Sequence, residues 1–241
     1  MSRLSPSIRT ALNTATLWTP HLVTASGLLF AFLSLVEIFA SHYRMALIWM
    51  TAGVISDAID GTIARRLNSA KKLPSFDGTL LDAIVDYITY VMVPVIFIYK
   101  AQLIPVDYNN WLLPAILIAS AYQFAQSESK THDNFFTGFP SYWNVAVLYI
   151  LLLDPSHTSN LILLTVLTAL IFVPIKYYYP SRTTKHKTLI MSVAIIWGIS
   201  GFSLIFTYPT VYPIPLGISI ICSTYYIAIS IFTTLYSTPN T

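Results

Sequence analysis

The sequence has 241 residues, of which 55% are hydrophobic and only 10% are charged. Soluble globular domains usually carry about 25% charged residues, so this composition excludes an ordinary water-soluble domain and predicts a protein embedded in a lipid bilayer. The formal net charge of +3 is too small to indicate nucleic-acid binding, and we expect no nucleic-acid partner.

Apolar stretches follow one another along the chain, and most reach the roughly 17–25 residues that a transmembrane helix needs. In chain order they cover roughly residues 17–41, 44–64, 79–100, 111–127, 141–153, 159–175, 188–207 and 213–236. The fifth is short for a span. The pattern predicts an all-α fold, a polytopic bundle of about eight transmembrane helices. We expect this bundle to form a single integral-membrane domain over residues 1–241.

Positively charged residues are unevenly divided between the two sides of the predicted bundle. An even number of spans places both termini on one side, together with the connections that follow the second, fourth and sixth helices. That side holds all of the 13 lysines and arginines except Arg44 and Lys100. Positively charged loops resist translocation and are attracted by the anionic inner leaflet. We therefore expect both termini to be cytoplasmic.

Acidic residues are concentrated around the connection between the second and third predicted helices. Of the 10 acidic residues in the chain, this region holds Asp57, Asp60, Asp77, Asp82 and Asp86. In the second helix, four residues share one face because they follow the spacing i, i+3, i+4 and i+7, namely Asp57, Asp60, Gly61 and Ala64. Spacings of i, i+4 and i+8 place on one face of the third helix Gly78, Asp82 and Asp86. The two faces lie at the same membrane depth, so four of the carboxylates can converge.

Converging carboxylates need a counter-charge. An aspartate at the centre of a membrane helix costs about 2.5–3.5 kcal/mol, less toward the interface, and neighbouring aspartates also repel one another. Mg²⁺ or Mn²⁺ prefers carboxylate oxygens, and two such ions can clamp a pyrophosphate. Gly61, Ala64 and Gly78 are small enough to let a flat base or a phosphate approach the backbone, and Arg65 can bind phosphate oxygens as a fork. Helix packing is the alternative role for Gly61 and Ala64.

The residues of this region resemble a known family signature. The pattern Asp57-x-x-Asp60-Gly61-x-x-Ala64-Arg65, followed by Gly78-x-x-x-Asp82-x-x-x-Asp86, is similar to that of the CDP-alcohol phosphotransferases. The resemblance implies that two divalent ions are held by Asp57, Asp60, Asp82 and Asp86, and that Asp86 is also the general base for the acceptor hydroxyl. It implies that CMP leaves, and that the nucleotide-linked substrate contacts Asp57, Gly61, Ala64, Arg65 and Gly78.

Further segments narrow the resemblance to one branch of that family. The connection from Arg65 to Gly78 is longer than in most members, and the segment 135–144 (FFTGFPSYWN) is similar to one in bacterial phosphatidylcholine synthases, which share the predicted topology. The segment 24–27 in the first helix is a weaker likeness. This branch implies CDP-diacylglycerol as donor, choline as acceptor and a homodimer. It also implies a bacterial inner membrane location, with the active site facing the cytoplasm.

A choline acceptor requires a surface that can bind its quaternary ammonium group. A quaternary ammonium group has no N–H to donate and is best held by aromatic faces, sometimes with a carboxylate nearby. Aromatic residues make up 14% of the chain, so any single one can equally belong to an interfacial belt or to ordinary packing. The candidate choline contacts, beside Asp86 and around the end of the fourth predicted helix, are Tyr87, Tyr122, Glu128, Phe136 and Tyr142.

Two alternatives stay open at this point. A serine or inositol acceptor would use the same chemistry, but those acceptors need Arg, Lys or amide donors near Asp86, where this sequence offers tyrosines. An ion-coupled transporter could use buried acids as a relay. Transporters more often place such acids near the membrane midplane on broken helices. Choline is the acceptor that the sequence favours.

Overall fold

The computed structural model describes residues 6–67, 76–126, 135–180, 183 and 186–236, with the side chains of residues 6–15 and 64–67 outside that description. Most of the described chain is helical. The helices are α1 (Pro6–Phe39), α2 (Tyr43–Leu67), α3 (Gly78–Asp86), a π-helical turn (Tyr87–Met92), α4 (Val93–Lys100), a 3₁₀ turn (Val106–Tyr108), α5 (Asn109–Ala125), α6 (Trp143–Leu153), α7 (His157–Leu170), α8 (Lys187–Thr207) and α9 (Pro213–Tyr236).

Apolar helices long enough to cross a membrane confirm the class predicted from composition. Within the described residues five segments meet this criterion, namely Thr16–Phe39, Tyr43–Ile63, Gly78–Lys100, Lys187–Thr207 and Pro213–Tyr236. The shorter apolar helices are α6 and α7. Each predicted apolar stretch contains a helix, so the all-α membrane fold is confirmed. The number of crossings and the side of the termini stay predictions.

The start of α3 is fixed by Asp77. Its carboxylate accepts hydrogen bonds from the backbone N–H groups of Thr79 and Leu80, both at 3.0 Å. These are two of the donors that the first turn of a helix leaves unpaired. Asp77 therefore caps the helix and points its carboxylate at the backbone.

The helix widens into the π turn just before Pro94, the second residue of α4. Proline has no N–H, and its ring crowds the carbonyl group four residues earlier, here that of Tyr90. The wider turn relieves this crowding, and the N–H of Val93 bonds to the carbonyl of Ile88, five residues earlier. Because α3, the π turn and α4 are continuous, they form one long helical segment that begins beside the predicted site.

Small residues bring α1 against α2 and α3. A Cβ atom on Gly27 would lie only 2.6 Å from Cγ1 of Val85 on α3, so the glycine is what permits this approach. The hydroxyl oxygens of Ser26 on α1 and Ser56 on α2 are 3.0 Å apart. Ser56 and Val85 each directly precede an aspartate of the predicted site, so α1 holds the two aspartate-bearing helices in place.

The buried core surrounds α4, α5 and α6. Trp143, at the start of α6, has no exposed surface, and its indole N–H donates to the Ser120 hydroxyl of α5 at 2.8 Å. This bond satisfies the one polar group of a large buried ring. Its apolar neighbours in the core include Val93, Phe97, Ile98, Leu113, Ile116 and Val147.

A two-stranded antiparallel ribbon, β1 (Phe135–Thr137) with β2 (Lys176–Tyr178), joins two connections between helices. Phe135 pairs with Tyr178, and Phe136 pairs with Tyr177. Gln123 of α5 donates its side-chain N–H to the carbonyl of Thr137 at 2.8 Å, which fixes the ribbon to the bundle. The sequence did not predict this ribbon, because strands of this length carry too few residues to show an alternating pattern.

Candidate active site

Three carboxylates from α2 and α3 converge. Asp57 of α2 and Asp82 and Asp86 of α3 each offer an oxygen, and these atoms all lie within 4.8 Å of one another. All three side chains are half-buried. The spacing of i, i+4 on α3 puts Asp82 and Asp86 on one face, as the sequence indicated. The structure therefore brings together three of the four predicted metal ligands.

Asp60 lies one turn beyond Asp57 and is more deeply enclosed. Only 3% of its surface is exposed, and among the described residues its Oδ2 atom has no hydrogen-bond partner. Thr24 of α1 is the neighbouring polar side chain. A buried carboxylate oxygen without a partner is costly, so this atom fits a role as ligand to a cation.

The electrostatics of the cluster also fit a cation. Two carboxylates at 4.8 Å repel each other by about 3.5 kcal/mol at an effective dielectric constant of about 20. Three mutually close carboxylates therefore need positive charge to be ionised together. Oxygen ligands of a hard divalent ion stand about 2.0–2.6 Å from it, a spacing that small side-chain rotations of these aspartates can reach.

The smaller members of the predicted site are described less completely. Gly61 is half-buried on α2. Helix α2 continues through positions 64 and 65, but the side chains of Ala64 and Arg65 lie outside the described residues. Gly78 is the first residue of α3, and a Cβ atom there would overlap the ring of His21. The space left by Gly78 is therefore occupied by His21, and the glycine permits α1 to pack on α3.

Tyr90, in the π turn, is an aromatic residue that flanks the predicted base Asp86 in the sequence, but it was not one of the predicted site residues. Its hydroxyl donates to Oδ2 of Asp57 at 2.8 Å, so it orients one of the three clustered carboxylates. The charges of Asp57 and Asp86 both act on this hydroxyl. Tyr90 is four positions after Asp86, about one turn of helix. This spacing is the feature of the sequence that could have placed Tyr90 beside the carboxylates.

Aromatic rings contact one another in a series that begins at Tyr90. The Tyr90 ring centroid is 6.1 Å from that of Tyr142, which is 6.3 Å from that of Phe136, which in turn is 4.6 Å from that of Tyr179. Two of these rings, Phe136 and Tyr142, were predicted as choline contacts. Tyr179 was not, because it follows β2, far along the chain from the aspartates.

The other predicted choline contacts have different neighbours. The Tyr87 hydroxyl donates to the carbonyl of Leu117 on α5 at 2.9 Å. The Tyr122 ring packs on Phe172 with centroids 5.3 Å apart. Glu128 lies outside the described residues. The structure thus links Phe136 and Tyr142 through ring contacts to Tyr90, which bonds to Asp57, and it shows Tyr87 and Tyr122 in contact with other parts of the bundle.

These features define a class of protein: an integral membrane protein whose helices gather carboxylates that could hold a metal ion. A sequence model of the CDP-alcohol phosphatidyltransferase family matches residues 17–235. The chain belongs to this family. The family predicted from the aspartate pattern is thereby confirmed.

Curated relatives are similar over most of their length. The chain is 42% identical over 210 residues to a phosphatidylcholine synthase of Legionella bozemanae, a match that covers 84% of this chain and 97% of that protein. It is 39% identical over 226 residues to a phosphatidylcholine synthase of Legionella pneumophila subsp. pneumophila, covering 91% and 89%. It is 36% identical over 223 residues to one of Pseudomonas aeruginosa, covering 92% and 94%. The predicted resemblance to the phosphatidylcholine synthase branch is confirmed.

Proposed function

We propose that the chain transfers the phosphatidyl group of CDP-diacylglycerol to choline and releases CMP. The observation that carries the proposal is the convergence of Asp57, Asp82 and Asp86, whose oxygens lie within 4.8 Å of one another. Similarity to proteins named phosphatidylcholine synthase, at 36–42% identity for the three relatives above, supports choline as the acceptor. Family membership decides against the transporter alternative.

The metal site that we propose holds two divalent ions, Mg²⁺ or Mn²⁺, on Asp57, Asp60 and Asp82, with Asp86 completing the set. When bound, such ions neutralise the charge of a pyrophosphate and of the departing phosphate group. The partnerless buried oxygen of Asp60 supports its inclusion. Asp57, Gly61, Ala64, Arg65 and Gly78 are proposed to contact the CDP-diacylglycerol.

In the transfer step, Asp86 acts as general base. The choline hydroxyl oxygen forms a bond to the phosphorus that carries the diacylglycerol, while the bond from that phosphorus to the bridging oxygen of CMP breaks. The hydroxyl proton passes to a carboxylate oxygen of Asp86, and CMP leaves with the bonding electron pair. Asp86 suits this role because it belongs to the carboxylate cluster and precedes Tyr90, where the ring series begins, by four positions.

The location that we propose is the bacterial inner membrane, with both termini and the active site on the cytoplasmic side. The distribution of lysine and arginine between the predicted loops supports this orientation. The relatives are bacterial proteins. A homodimer, expected from the family resemblance, stays a prediction.

The experiment that tests the function is CMP release by purified protein in detergent, with CDP-diacylglycerol, Mn²⁺ and one added acceptor. We expect choline to give the highest kcat/KM among choline, serine, inositol and glycerol phosphate. Chelation with EDTA should abolish CMP release, and Mn²⁺ or Mg²⁺ should restore it. Preference for serine or inositol would overturn the choline assignment, and activity in excess chelator would overturn the metal site.

A further inference from the structure

Four half-buried rings stand in series beside the carboxylates. Tyr90, Tyr142, Phe136 and Tyr179 come from three separate parts of the chain, the π turn, the segment from β1 to α6 and the residue after β2. Adjacent centroids are 4.6–6.3 Å apart. The series begins at a carboxylate, because the Tyr90 hydroxyl donates to Asp57.

Neighbouring rings on the same ribbon show that this partial exposure is not general. Phe135 and Tyr178 are only 3% and 2% exposed, and they pack with Ile190 in a separate apolar cluster. Residues in a strand alternate between its two faces, so Phe136 lies on the face opposite Phe135. Phe135 and Tyr178 are thus buried in the cluster with α8 and α9, and Tyr177, which pairs with Phe136, is buried against Tyr226. Phe136 and Tyr179 are the ribbon-segment rings that keep accessible surface.

The ring planes are inclined to one another. Phe136 and Tyr142 stand nearly perpendicular, at 83°, whereas Phe136 and Tyr179 are inclined by 33°. A small rounded group can therefore meet more than one ring face. The negative faces of aromatic rings attract a cation whose centre lies within about 6 Å of the centroid. No hydrogen-bond donor is needed from the cation, and a trimethylammonium group has none.

We infer that Tyr90, Tyr142, Phe136 and Tyr179 form the pocket for the trimethylammonium group of choline. The inference rests on the proposed function and assigns its acceptor subsite. Tyr90 bonds to Asp57 of the carboxylate cluster and its ring contacts that of Tyr142, so a choline held by these rings would lie beside the cluster that contains the proposed base. Tyr90 and Tyr179 are thereby assigned as acceptor-binding residues.

The test compares removal of a ring with retention of a ring at the same position. Tyr179→Leu and Phe136→Leu remove the π face but keep apolar bulk, while Tyr179→Phe keeps the ring. Each leucine variant should raise the choline KM by about 2- to 30-fold, with kcat and the CDP-diacylglycerol KM within about twofold of the unmodified protein. Tyr179→Phe should raise the choline KM less than Tyr179→Leu does, because the ring face remains.

A matched control is available on α9. The Phe232 and Tyr236 rings have centroids 4.5 Å apart at 33°, almost the geometry of the Phe136 and Tyr179 pair, but they lie at the carboxyl end of α9. Phe232→Leu should leave the choline KM unchanged. An unchanged choline KM in both Tyr179→Leu and Phe136→Leu would overturn the pocket.

A second measurement needs no substitution and does not depend on a variant folding. The alcohol 3,3-dimethylbutan-1-ol has the shape of choline but a neutral carbon in place of nitrogen. The unmodified protein should use it, or be inhibited by it, with an apparent constant at least about tenfold weaker than that of choline. Equal constants would overturn recognition of the cation by the rings. If choline supports no CMP release at all, the proposed function itself fails.

Discussion

Replacement of Tyr90 by phenylalanine tests how the carboxylate cluster is held. The substitution removes one oxygen atom, and with it the 2.8 Å hydrogen bond to Oδ2 of Asp57, but keeps the ring. A hydrogen bond to a charged group contributes about 1.5–3 kcal/mol. Loss of a group that orients a metal-binding side chain typically weakens metal binding by about 10- to 100-fold, which corresponds to about 1.4–2.7 kcal/mol. The two magnitudes agree.

We therefore expect Tyr90→Phe to raise the Mn²⁺ concentration for half-maximal activity by about 10- to 100-fold. At saturating Mn²⁺, kcat and the choline KM should stay close to those of the unmodified protein, because the ring remains. The assay is CMP release against Mn²⁺ concentration, with free metal set by a buffer. Direct Mn²⁺ binding measured without substrates gives an independent readout.

The control for this experiment is Tyr178→Phe. It also removes a tyrosine hydroxyl, one that lies 3.1 Å from Oγ1 of Thr233 in the apolar cluster behind the ribbon. Its Mn²⁺ response should be unchanged. If Tyr90→Phe also left the Mn²⁺ response unchanged, Tyr90 would have no role in orienting Asp57 for metal binding.

Three further predictions concern the base and the packing around it. Asp86→Asn should lower kcat by about 10²- to 10⁴-fold while CDP-diacylglycerol binding, measured by equilibrium dialysis, is retained; near-normal turnover would exclude this base. Gly27→Ala should lower the free energy of unfolding in detergent by about 1–3 kcal/mol, because the added Cβ would lie 2.6 Å from Val85. Addition of Val85→Ala should partly restore that free energy, and absence of rescue would refute the contact. Gly138→Ala should lower Tm, because Gly138 has φ of 77° and its added Cβ would overlap the carbonyl oxygen of Ile171; an unchanged Tm would contradict the strain.

The carboxylate cluster could be predicted from the sequence because its geometry is local. Spacings of three and four residues place side chains on one face of a helix whatever the rest of the fold does. Because the two helices follow one another in the chain, Asp57 is then expected near Asp82 and Asp86. The helices themselves were equally predictable, since each appears as one continuous apolar stretch.

The ring series could be predicted only in part, because it is assembled from distant segments. Phe136 and Tyr142 lie in a segment that resembles the family branch, but Tyr179 follows a three-residue strand that leaves no pattern in the sequence. The direction of Tyr90 depends on the π turn. Pro94 signals that the helix is perturbed, but not whether it kinks, breaks or widens.

Gly78 has a role in helix packing that its place in the family signature does not reveal. A glycine among phosphate-binding residues suggests room for the substrate. In the structure the ring of His21 fills the place that a side chain would take, and His21 itself packs against Trp18 and Phe76. Any larger residue at this position would push α1 away from α3, so helix packing alone already requires a small residue here.

The two contacts of Tyr90 connect the proposed metal site with the proposed acceptor pocket. Its hydroxyl orients Asp57, and its ring begins the series that continues to Tyr142. The side chain must therefore face α2 and the ribbon segment together, and the π turn sets that direction between Asp86 and Pro94. The π turn before Pro94 thus places Tyr90 in contact with both groups. Loss of its hydroxyl oxygen should weaken Mn²⁺ binding, whereas loss of its ring should raise the choline KM.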